Sequence, residues 1–104
     1  MALAEVPDEA VKEYKSAMQA VGQARWLLSR IAHYGSIDSL GQIGRLIMSA
    51  HYHAGRLSGL CHCAAVWEPF NLEKIETLSE TVYNAVKQVS AELLFLMDVL
   101  QGGQ

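Results

Sequence analysis

Charge is scarce in this chain. Lys and Arg number eight and Asp and Glu eleven among 104 residues, 18% charged and a formal net charge of −3. No run of Lys and Arg exists. The most basic stretch, Arg25 to Arg56, spreads four arginines over about thirty residues. A nucleic-acid binder working through a broad basic face is therefore not expected. Long apolar runs are missing too. The least charged stretch, Leu46 to Trp67, still holds Arg56 and three histidines, so no membrane span is expected. Proline and cysteine occur twice each. The opening "MALAEVPDEA" has neither a basic start nor a long apolar core, so it does not read as a secretory signal. With only two cysteines, the expectation is a reducing cytoplasm. Size and style fit a bacterial or phage origin. There is no Gly-rich phosphate loop, no G-x-S-x-G and no Walker lysine. Repeats and β-alternating runs are also lacking.

What remains is apolar surface, 51% of the residues, enough to offset chain entropy and form one core. Pro and Gly punctuate the chain at "VPDEA", "HYGSID", "WEPFNLEK" and "QGGQ". Between them lie three segments of helical length, at about 7–34, 36–67 and 71–101. The fold class expected is all-α, a single domain of three long helices in an antiparallel bundle. In the first helix, Pro7 suits the first turn, and Asp8 and Glu9 match the positive end of the dipole. Val11, Tyr14, Met18, Val21, Leu28 and Ile31 draw its apolar stripe. Ser36 and Asn71 are the expected caps of the second and third helices.

The second helix carries two adjacent apolar seams. One includes Gly44, Ile47, His51, Ala54, Ser58 and Cys61. The other includes Ile43, Ala50, His53, Leu57 and Leu60. Such a helix touches neighbours on two sides and is expected to be the most buried. Each interior glycine costs about 1 kcal/mol relative to alanine, and close helix–helix approach is the expected compensation. The third helix ends in "LLFLMDVL", residues 93–100, apolar on nearly every side. Slender rods cannot hide all of this, so self-association is expected, as a homodimer or higher homo-oligomer. Gly44, Ala54, Ser58, Phe95 and Leu96 are its candidate contacts. Trp26 falls off the first helix's stripe beside Arg25 and Arg30, the composition of a binding hot spot for a protein partner.

The stretch "HYHAGRLSGLCHC", residues 51–63, concentrates possible metal ligands: His51, His53, Cys61, His62 and Cys63. Thiolate and imidazole suit zinc or iron, including haem iron. On one continuous helix these side chains point all around the axis, at about 100° per residue. His51 and His62 share a face but lie about 16 Å apart. A closed site would need a broken helix, His33 folded back, or a second chain. Otherwise these are packing residues, with no cofactor.

"RLIMSAH" (Arg45 to His51) and "RLSGLCH" (Arg56 to His62) each place His six residues after Arg. This spacing resembles the Arg-x4–6-His motif of HEPN-type ribonucleases, which are also helical. The resemblance implies RNA cleavage at a dimer interface. In that family the motif usually sits at a helix start, whereas both pairs here fall inside a helix. Without another catalytic constellation, the main expectation is a small cytoplasmic interaction module, an adaptor, inhibitor or chaperone-like subunit without catalysis. A metal- or haem-binding protein and the ribonuclease are the alternatives.

Overall fold

The computed structural model describes residues 6–34, 40–63 and 72–102. They form three helices, α1 (Asp8–Tyr34), α2 (Leu40–Cys63) and α3 (Leu72–Gly102), and no strand occurs among the described residues. The expected caps Ser36 and Asn71, and the expected end of the second helix at 64–67, lie outside the described residues. The molecule is a rod of 56 × 20 × 18 Å.

Local chemistry starts α1 where expected. The Pro7 carbonyl accepts the N–H groups of Ala10 and Val11 at 3.0 and 3.2 Å. Pro7 therefore stands just before the first helical residue, with Asp8 and Glu9 in the first turn. Val6 is buried in the core, and Val11 packs against the same cluster, the arrangement of a hydrophobic staple. In α3, Thr77 and Thr81 donate their hydroxyls back to the carbonyls of Glu73 and Thr77, which spares the exposed face unpaired polar groups.

The chain reverses at each connection. Glu13, near the start of α1, meets Arg56, near the end of α2. Cys61 lies beside Glu76, and His51 beside Val86, so α2 and α3 run in opposite directions. The core is continuous. Its largest fully buried side chains are Ile43 and Leu57 from α2 and Ile75, Val82, Val86 and Val89 from α3. Full burial of each contributes about 1.5–3 kcal/mol of transfer free energy.

Two expectations change here. The most buried helix is α1, not α2. Its centre is a stripe of small residues, Ala10, Ala17, Ala20 and Ala24, which lets both neighbours approach. The α2 glycines do not serve that purpose within the chain. A methyl group added at Gly41, Gly44, Gly55 or Gly59 would meet no atom within 4 Å beyond its immediate surroundings. Alanine supplies close packing without the helix cost of glycine, and Gly41, Gly55 and Gly59 face outward.

Candidate functional site

The described members of the His/Cys stretch, His51, His53 and Cys61, do not converge. His51 is exposed on the α3 side of α2. His53 is half-buried and turned toward α1. Cys61 is half-buried beside Ser58, Glu76 and Ser79. Burial pushes its thiol up and the Glu76 charge adds to this, against a hydrogen bond with Ser79. His62 and Cys63 end α2, but their side chains lie outside what is described, as does that of His33. Among the described residues, no group of three or more His, Cys, Asp or Glu could hold a metal ion.

The tightest polar geometry is one that the spacing of motifs did not point to. Glu13 is only 7% exposed, the one buried charged residue among those described. Its Oε2 lies 2.6 Å from His53 Nδ1, and its Oε1 accepts Arg56 Nε at 3.0 Å. Burial alone would raise this carboxyl's pKa. Hydrogen bonds from His53 and Arg56, and their charge, outweigh burial and hold it below the usual carboxylate range. The carboxylate is thus ionised and can only accept, so His53 Nδ1 carries the proton of that bond. Arg56 also donates to Tyr52 Oη at 3.2 Å. Tyr52 first and Glu13 second raise the guanidinium's affinity for its proton. The Tyr52 and His53 rings meet edge to face, with centroids 5.2 Å apart.

Both Glu13 oxygens are engaged, so the cluster ties α1 to α2 at this level of the bundle. A signal for it does exist in the sequence. Glu13 falls between Ala10 and Ala17, at the 3–4 spacing of the alanine stripe, where a carboxylate needs partners. The same cluster bears on the ribonuclease-like motif. Arg56 is directed at Glu13 and Tyr52, and the side chain of His62 lies outside what is described.

The candidate interaction residues fall on separate surfaces. Trp26 is exposed on α1 with the Arg30 guanidinium 4.8 Å from its ring centre, within reach for cation–π attraction. Arg25 reaches across to Glu92 of α3 at 3.5 Å. Phe95 is 71% exposed, whereas Leu96, one residue on, is half-buried against the core. Ala54 packs against the core as well.

Gly44 is half-buried on α2, and Ala54 and Ser58 line its α3 flank, where the two helices part. Hollows of about 290, 440 and 370 Å³ follow one another along this seam. The first two share Ser58 and Ser79, and the last two share His51, Ala54 and Tyr83. They form one open groove. Its α3 wall ends at Leu94, which is 66% exposed. Met48 on α2 and Tyr83, Met97, Val99 and Leu100 on α3 are exposed too. No helix of the described residues is long and apolar enough to cross a membrane. No family model matches the chain, and no curated protein or solved structure matches it.

Proposed function

We propose that this protein is a helical protein–protein interaction module, acting as an adaptor, inhibitor or chaperone-like subunit through its helix surfaces. In this reading it works in the cytoplasm, self-associates as a homodimer and regulates a partner without catalysis of its own. The observation that carries the proposal is the apolar surface left uncovered on α3. Tyr83, Leu94, Phe95, Met97, Val99 and Leu100 are all exposed on one helix, with Met48 on the neighbouring α2. Isolated exposed apolar residues are ordinary, but a concentration of this size on a monomer's surface is characteristic of interaction sites. Trp26, with Arg30 stacked on it, supplies an aromatic anchor on a second surface.

The test is capture from a native lysate, with partners identified by mass spectrometry and rebuilt from purified components. Phe95→Ala or Trp26→Ala should weaken the rebuilt complex, because each removes a large exposed ring and leaves the core intact. If no macromolecule is recovered, or the complex forms equally well with both variants, the reading fails.

A further inference from the structure

One nitrogen of the Glu13–His53 pair has no task in tying α1 to α2. Glu13 holds the Nδ1–H of His53 at 2.6 Å, so the neutral ring carries its proton on Nδ1 and its lone pair on Nε2. That nitrogen lies on the side of the ring away from the buried carboxylate. His53 keeps 25% of its side chain open to solvent. Among the described residues, only Arg25 Nε and Ser90 Oγ are buried side-chain polar atoms without a partner, so Nε2 is not sealed into the core alone. We infer that His53 is a phosphoryl acceptor, whose Nε2 takes a phosphoryl group from an activated donor, an acyl phosphate or a phosphoramidate.

Three features of the cluster suit this chemistry. The first is orientation. Glu13 is buried with both oxygens bonded, so it fixes the ring and its tautomer before any donor arrives. The second is charge. Attack through Nε2 makes the ring a cation, and the ionised carboxylate at Nδ1 compensates that charge as it forms. The third is the neighbour. Arg56 follows His53 by one helical turn, on the same face of α2, and is bonded to the other oxygen of the same carboxylate. Glu13 and Tyr52 engage its Nε–H and one NH1 hydrogen, and a guanidinium has further donors. The Arg56 side chain is 54% exposed, so those donors can turn to phosphoryl oxygens, which a guanidinium fork fits.

In the transfer, the Nε2 lone pair attacks phosphorus, an N–P bond forms, and the donor's P–O or P–N bond breaks. The electron pair of the broken bond leaves with the carboxylate of an acyl phosphate, or with the ammonia of a phosphoramidate whose nitrogen is already protonated. The Nδ1 proton stays in its bond to Glu13, and no atom changes oxidation state. The product adds roughly two negative charges beside Arg56. His51, on the preceding turn of α2, is a comparison built into the same helix. It is exposed, and no carboxylate bonds it among the described residues. Exposure alone ranks His51 above His53 as a nucleophile, whereas orientation by a carboxylate ranks them the other way.

This inference goes beyond the helix-surface interaction reading and does not rest on it, because the reaction is read on the purified chain without a partner. The test is incubation of the full chain with phosphoramidate and, separately, with acetyl phosphate. Peptide mass spectrometry in alkali, which preserves N–P bonds, then locates the label. Phosphate should appear at His53 about tenfold faster than at His51, the weight of one charge-assisted bond against a neutral one, and acid should remove it. In urea, where Glu13 no longer holds the ring, the two rates should converge. Glu13→Gln, checked by circular dichroism for its helices, should lose the same factor at His53. Four results would overturn the inference: no preference for His53 over His51 with either reagent, a preference that persists in urea, an acid-stable label on a hydroxyl oxygen in place of the ring, or an unchanged rate in folded Glu13→Gln. The first three are read on the wild type alone, so they decide the matter even if Glu13→Gln does not fold.

Discussion

Replacing Glu13 by Gln keeps the side chain's size and removes its charge, which isolates what the buried carboxylate contributes. Two hydrogen bonds to an ionised acceptor, about 1.5–3 kcal/mol each, become bonds to a neutral amide, about 0.5–1.5 kcal/mol each. The amide has one carbonyl oxygen for two donors, so one bond is lost or distorted. The Arg56 side chain is 54% exposed, and water replaces part of its loss, which places its share at the low end. The net cost at neutral pH is about 2 kcal/mol. With a urea m-value of about 1–3 kcal/mol/M, the unfolding midpoint should fall by roughly 1 M. The pH dependence has a definite sign. The folded-state pKa of Glu13 is lowered, so its stabilisation is fully present above the ordinary carboxylate range near ~4.3. It is lost as pH falls through the lowered folded value. Urea unfolding followed by circular dichroism at pH 7 and again near pH 2 checks both statements. The gap between wild type and variant should be wide at pH 7 and nearly closed in acid. Equal stability at pH 7, or an equal gap at both pH values, would refute the assignment of a charged Glu13 as the link between α1 and α2.

Three more outcomes follow from the same geometry. Gly22→Ala and Gly41→Ala, at helical positions where a methyl group meets open space, should each stabilise the fold by about 0.5–1 kcal/mol, visible as a higher thermal midpoint. Unchanged or lower midpoints would mean that these positions are already in contact. Cys61, whose thiol is pushed up by burial first and by Glu76 second, should alkylate more slowly in the folded Cys63→Ser protein than in the same protein in urea. Matching rates would show that the thiol is not shielded. His53 is committed to Glu13, while His51 and Cys61 lie at different levels of the seam toward α3. Protein purified without an affinity tag and dialysed against zinc should therefore hold well below one ion per chain. Stoichiometric zinc that is lost in a Cys61→Ser, Cys63→Ser variant would restore the metal reading of 51–63.

The sequence by itself determined the helices, because helix formation depends on neighbours three and four residues away. The Val, Ile and Leu stripe of α3 and the start of α1 at Pro7 follow from such local spacing. The same local logic turns His51, His53 and Cys61 of "HYHAGRLSGLCHC" to different sides of one helix. What the spacing did not decide is which helix lies at the centre and which polar groups find each other. Alanine and glycine both read as small, yet the alanines of α1 pack between neighbours while Gly41, Gly55 and Gly59 of α2 face outward. That choice is set by how three stripes close on one another. The partnership of Glu13 with His53 and Arg56 joins residues 40 and 43 positions apart in the chain. No local pattern contains that separation. Only the rotation of α1 against α2, fixed by the packed core, brings a carboxylate that cannot be left alone in apolar surroundings to the two side chains that satisfy it.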